Sequence, residues 1–89
     1  MFELYVVETV AVSTPGIALA CQVRAGTVHV GDRVTRVRDA EGDSWPIDLE
    51  VRYLSMRKLL VDAMKANDGG VVTLFGLYNS VEPGHSLSG

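Results

Sequence analysis

The sequence carries a single cysteine, Cys21, and only two histidines, His29 and His85. One cysteine excludes an internal disulfide and any metal site built from several thiolates. The histidines stand far apart with no acidic or cysteine partner at ligand spacing, so both read as surface or strand residues and neither as a metal ligand. The longest apolar runs, such as VVTLFGLY (71–78), are less than half of a membrane span. No basic start leads into an apolar stretch, so no secretory signal is expected, and the expected location is cytoplasmic. Positive charge is scarce as well: 8 lysines and arginines face 11 acids, for a net charge of −3. That balance excludes generic nucleic-acid binding through many phosphate contacts but leaves room for a local basic patch. There is no G-x-x-x-x-G-K-S/T loop, which excludes GTP hydrolysis, and no G-x-S-x-G turn to frame a nucleophile. No flavin or nicotinamide signature is present either. The chain is therefore read as a non-enzyme, with no catalytic residue, metal or cofactor assigned.

What is present is apolar and strand-forming. With 47% hydrophobic and 21% charged residues, the 89 residues make one globular domain, 1–89, with a modest core. Cys21 lies in the apolar run IALAC and reads as a buried, inert thiol. Phe2 to Ser13 is rich in valine and nearly free of breakers, a long strand. Thr14, Pro15 and Gly16 form a turn, with proline fixing φ and glycine free to take a positive value. Ile17 to Arg24 resumes as strand. Ala25–Gly26 reads as a second reversal, Thr27 to Val30 as a very short strand, and Gly31–Asp32 as a third turn.

From Arg33 to Arg38, Val34 and Val37 are out of phase, which predicts a bulge or a change of face. Asp39 to Pro46 is acidic and small, an exposed loop. Its Asp39, Glu41 and Asp43 lack the glycine and the closing glutamate of a calcium loop. Ile47 to Ser55 alternates Ile47, Leu49, Val51 and Tyr53 against Asp48, Glu50 and Arg52, as a half-buried strand does. Met56, Leu59, Leu60, Ala63 and Met64 then fall at helical spacing. Asn67 to Gly70 stop that segment, and Val71 to Tyr78 reads as a continuous apolar strand. Pro83–Gly84 turns the chain into a short last strand. Five or six short strands separated by such turns favour a small closed barrel, since closure removes exposed edges.

In this order the motifs resemble the second domain of elongation factor Tu and its relatives, the β-barrel that follows the GTPase domain in translation factors. STPGIALACQVRAG (13–26) is similar to the family's glycine turn, strand and Arg-x-Gly signature. GTVHVGDRV (26–34) is similar to its short strand, Gly-acidic turn and valine. MRKLLVDAMKANDGG (56–70) and VEPGHSLSG (81–89) are similar to its Arg-Lys-Leu-Leu stretch and its closing turn and strand. Together these span Phe2 to Gly89. The resemblance implies an all-β fold, a small closed six-stranded antiparallel barrel of Greek-key type, with Gly26 and Gly31 supplying backbone freedom at its corners. It also implies that strand continues to about Leu60, followed by one short helical turn instead of a full helix.

In translation factors this barrel helps hold the aminoacylated end of a tRNA and touches ribosomal RNA. Carried onto this sequence, the two adjacent first-strand acids of the amino-acid pocket fall on Val7 and Glu8. The acid ahead of the Arg-Lys pair falls on Leu54, the ring residue on Met56, and the asparagine on or beside Gly69. Arg57 and Lys58 remain, but most contacts that would orient an α-amino group are absent. Arg57 and Lys58 are either two solvated charges at a strand end or a small patch for RNA phosphate. Trp45 either folds back to cap the barrel end or stands exposed as a contact anchor. Glu8, Trp45, Arg57 and Lys58 are thus the candidate partner- or RNA-binding residues. The resemblance implies a non-catalytic binding module, a free-standing barrel without the GTPase domain, docking on a translation-related protein or ribonucleoprotein. RNA is a further partner and a membrane is not. The alternative is a reused scaffold outside translation that binds a small ligand or self-associates as a homodimer across faces no longer covered by neighbouring domains.

Overall fold

Residues 1–77 and 81–89 are described by the computed structural model. Eight strands follow one another: β1 Phe2–Ser13, β2 Gly16–His29, β3 Arg33–Arg38, β4 Ser44–Met56, β5 Leu59–Val61, β6 Ala63–Lys65, β7 Gly69–Leu77 and β8 Ser86–Ser88. Six of them close into a ring, in the order β1-β8-β3-β4-β7-β2 and back to β1, every pairing antiparallel. β3, β4 and β7 are successive neighbours and β2 returns beside β7, a Greek-key order. The seam of the ring is tied by Phe2 N–H donating to the Gly89 carbonyl at 3.0 Å and Gly89 N–H to that of Phe2 at 3.3 Å. The all-β closed barrel expected from the sequence is the observed fold.

Alternation fills the ring. β2 sends Ile17, Leu19, Cys21 and Val23 inward, and they meet Val72 and Leu74 of β7, Leu49 and Val51 of β4, Val34 and Val37 of β3, and Leu87 of β8. Burying each of the larger aliphatic side chains contributes about 2 kcal/mol. No polar side chain is buried among the described residues. The long strand β1 has the expected bounds, but only its first half, Phe2, Leu4 and Val6, reaches the core.

Register slips decide which residues face in. β3 slips between Val34 and Arg36, so both Val34 and Val37 are fully buried, as their phase predicted. β4 slips between Val51 and Tyr53, which turns Tyr53 out and gives Leu54 the inward place. The expected Ile47–Tyr53 face is therefore broken at its last member, because curving a sheet into a small ring requires bulges.

Three other local expectations change. There is no reversal at Ala25–Gly26: β2 runs on through Gly26 and exchanges its partner β1 for β6. Gly26 has φ +70°, and a Cβ there would run into the Met1 carbonyl oxygen, so the glycine makes a corner without ending the strand. Gly31, at φ +97°, does make the expected turn, helped by Asp32 Oδ2, which accepts the His29 N–H at 2.8 Å. Gly16 is not in a positive-φ turn. It opens β2 beneath the Phe75 ring, after a cis Thr14–Pro15 bond.

No helical turn forms in 56–67. The chain reverses at Arg57–Lys58, β5 pairs back on β4, and β6 pairs with the far end of β2. The apolar residues at helical spacing divide accordingly: Met64 is buried, whereas Leu59 and Leu60 are exposed. The acidic loop is shorter than expected, with β4 starting at Ser44 and taking in Trp45 and Pro46. Asp39 Oδ1 accepts the N–H groups of Glu41 and Asp43 at 3.0 and 2.9 Å, so that carboxylate builds its own loop. Tyr78, the expected end of the last long strand, lies outside the described residues. No helix among the described residues is long and apolar enough to cross a membrane.

Candidate functional site

The ring places a polar groove along its shortest strand. In β8, Leu87 points into the core, so Ser86 and Ser88 point out. Antiparallel register sets Glu3, Ser88 and Arg36 in one row, and Tyr5, Ser86 and Arg38 in the next. Serines are small, so β8 forms a low floor between the longer side chains of β1 and β3. Two adjoining cavities of about 200 and 520 Å3 occupy this channel. Arg24 lies over the Tyr5 ring at 4.1 Å, Arg38 Nη2 is 3.4 Å from Glu3 Oε2, and Arg36 Nη1 donates to Ser44 Oγ at 3.1 Å. Stacking and hydrogen bonding thus hold all three guanidiniums along one channel, opposed by the carboxylates of Glu3 and Asp39. Planar guanidiniums beside serine hydroxyls suit a phosphate or another oxyanion, which each arginine can grip through two N–H groups.

The four residues singled out from the sequence do not converge. Trp45 pairs with Val37 on the inward row, is half-buried, and packs edge-on against His85 at 5.6 Å between ring centres. His85 in turn accepts the Glu82 N–H at Nδ1 and closes the Pro83–Gly84 turn. Of the two readings of Trp45, the structure favours the barrel cap. Glu8 lies on the exposed half of β1, in a row that runs Glu8, Ala20, Val71, Ser55 across four strands. Arg57 and Lys58 form the turn just beyond Ser55, roughly three strand spacings or about 14 Å from the Glu8 column. Leu54, onto which an acidic pocket residue was carried, is fully buried, so that position cannot contact a ligand.

Arg57 and Lys58 have a backbone feature that their residue types did not announce. Both take left-handed φ, +53° and +68°, in a two-residue hairpin turn. Such turns favour Asn-Gly, and two long side chains there are held at a cost of about 1 kcal/mol each. Neither forms an ion pair among the described residues, whereas Arg33, Arg38 and Arg52 are paired with Asp48, Glu3 and Glu50. Arg24, Arg36, Arg38, Ser86 and Ser88 were missed in the sequence. The only signals were the arginines of RVTRVR and the serines flanking Leu87 in SLS, which with Arg24 of β2 only barrel closure brings side by side.

No family model and no curated protein sequence matches the chain. Among solved structures it is similar to translation elongation factor SelB from Methanococcus maripaludis, both in its apo form and in complex with the GTP analogue GppNHp. In each case the TM-score is 0.79 at 21% sequence identity, and the match covers 97% of this chain. It covers 18% of the SelB chain, a barrel domain and not the GTPase domain. Nearly every residue is superimposed at that low identity, and the likeness establishes the fold: the chain is built as a translation-factor β-barrel, the architecture its motifs resemble.

Proposed function

We propose that this chain is a non-catalytic binding module of the cytoplasm that docks on a ribonucleoprotein of the translation machinery. The observation that carries this reading is the arginine–serine groove, with Arg24, Arg36 and Arg38 aligned over the β8 floor. A chain of net charge −3 has no general attraction for RNA, so phosphate contact must come from such a local concentration of cations. The whole-chain likeness to a translation-factor barrel supports the choice of partner.

Co-sedimentation with ribosomes and with tRNA tests it. The double reversal Arg36→Glu/Arg38→Glu abolishes the association at physiological salt. Milder Arg→Gln changes flatten its salt dependence by a log–log slope of about one per lost phosphate contact. The charge-matched control Arg33→Glu/Arg52→Glu, whose arginines are paired with Asp48 and Glu50 away from the groove, retains binding. Equal sedimentation of the two double variants sinks this reading.

A further inference from the structure

On the side of the ring opposite the groove, the outer surface of the barrel holds an uncharged patch, bordered along β4 by the Glu50–Arg52 ion pair, with Arg52 lying over the Phe75 ring at 4.5 Å. The rows of this face follow from the register: Glu8, Ala20, Val71, Ser55 and Leu60 in one, and Ala11, Ala18, Thr73 and Tyr53 in the next. Ala18, Ala20, Val71 and Thr73 make a low floor, dipping into a depression of about 260 Å3 beside Ala11, Pro15 and Phe75. Tyr53 and Leu60 rise at one border of it, 50% and 75% exposed. An outward barrel face is ordinarily the polar half of the alternation, and a contiguous patch of uncharged side chains running from Ala11 to Leu60, with Glu8 and the Glu50–Arg52 pair only at its edges, marks a contact surface.

We propose that this face is a self-complementary interface on which a second copy of the chain docks. A twofold axis lying in the interface, parallel to the strands and between β2 and β7, maps the face onto itself. It sets β1 of one copy over β4 of the other, so that Ala11 receives Tyr53 of the second copy and the small floors meet. It also sets Glu8 opposite Ser55 of the second copy, within reach of the Arg57–Lys58 turn. The acid that borders one end of the face thereby meets the two cations that border the other end, twice per dimer. Projecting residues oppose small ones and negative charge opposes positive, so shape and charge select the same pairing. The left-handed φ of Arg57 and Lys58 fits this role, since strain in a turn is retained where the side chains that it aims have a task.

Sedimentation equilibrium over the micromolar range tests the proposal. The protein is expected to dimerise, and Glu8→Lys or Arg57→Glu/Lys58→Glu to weaken dimerisation by about tenfold each. The triple variant combining both reversals regains most of the lost affinity, because the charges again oppose one another. Ala18→Arg buries an unpaired charge in the floor and weakens the dimer on the order of a hundredfold, with an unchanged circular dichroism spectrum. A monomer at every concentration overturns the proposal. So does a dimer indifferent to Ala18→Arg and to both charge reversals, or a triple variant no tighter than the single reversals.

Discussion

At the scale of single residues, the fold changes the chemistry of Cys21 most. Burial pushes its thiol up from an ordinary 9.0 to about 12. The unfolded chain gives up this proton from about pH 9 while the folded chain keeps it, so the group leaves stability unchanged below pH 9. Above that, stability falls by about 1.4 kcal/mol per pH unit until the folded thiol ionises. Urea denaturation of the protein and of Cys21→Ala at pH 8 and pH 10 isolates the effect. The wild type is expected to lose more stability between the two pH values than the variant does, and a constant difference refutes the linkage. Two glycines separate backbone freedom from space. Gly31→Ala meets open space and costs only the left-handed φ, about 1 kcal/mol, whereas Gly26→Ala also collides with the Met1 carbonyl and costs more than about 2 kcal/mol. Equal denaturation midpoints for the two variants contradict that account.

Among the elements, the β4–β5 hairpin is the one whose sequence disagrees with its conformation. Replacing its turn by Asn-Gly, Arg57→Asn/Lys58→Gly, supplies residues that accept positive φ at both positions. The monomer is expected to gain about 1 to 2 kcal/mol, or roughly 5 to 10 °C in Tm, while self-association weakens as in the charge reversal. A thermal melt that drops shows that Arg57 and Lys58 stabilise the turn by contacts of their own. The same hairpin shows why part of the fold was illegible. Met56, Leu59, Leu60, Ala63 and Met64 have helical spacing only if all of them seek one core, and Leu59 and Leu60 do not. The sharp turn was hidden too, because neither arginine nor lysine marks left-handed backbone. By contrast, β1 could be read to both ends from its valines, and the β3 bulge from the clash of phase between Val34 and Val37. Tyr53 was misplaced because the slip in β4 answers to ring curvature, a demand set by all six barrel strands and written in no single one.

For the molecule as a whole, closure is what makes both candidate surfaces. The groove follows β8 and β3 on one side of the ring, and the uncharged face follows β2 and β7 on the other. A dimer through the second therefore leaves two copies of the first turned outward. The residues singled out from the sequence, Glu8, Trp45, Arg57 and Lys58, all lie outside the groove. The groove draws on Arg24, Arg36, Arg38 and the β8 serines, contributed by three segments far apart in the chain. The seam carries one more consequence. Since Phe2 and Gly89 exchange backbone hydrogen bonds, the path into the barrel and the path out of it lie side by side. A barrel closed in this way can be grafted into a surface loop of another protein by both ends at once, like a plug with two adjacent pins, without unpicking a strand of either partner.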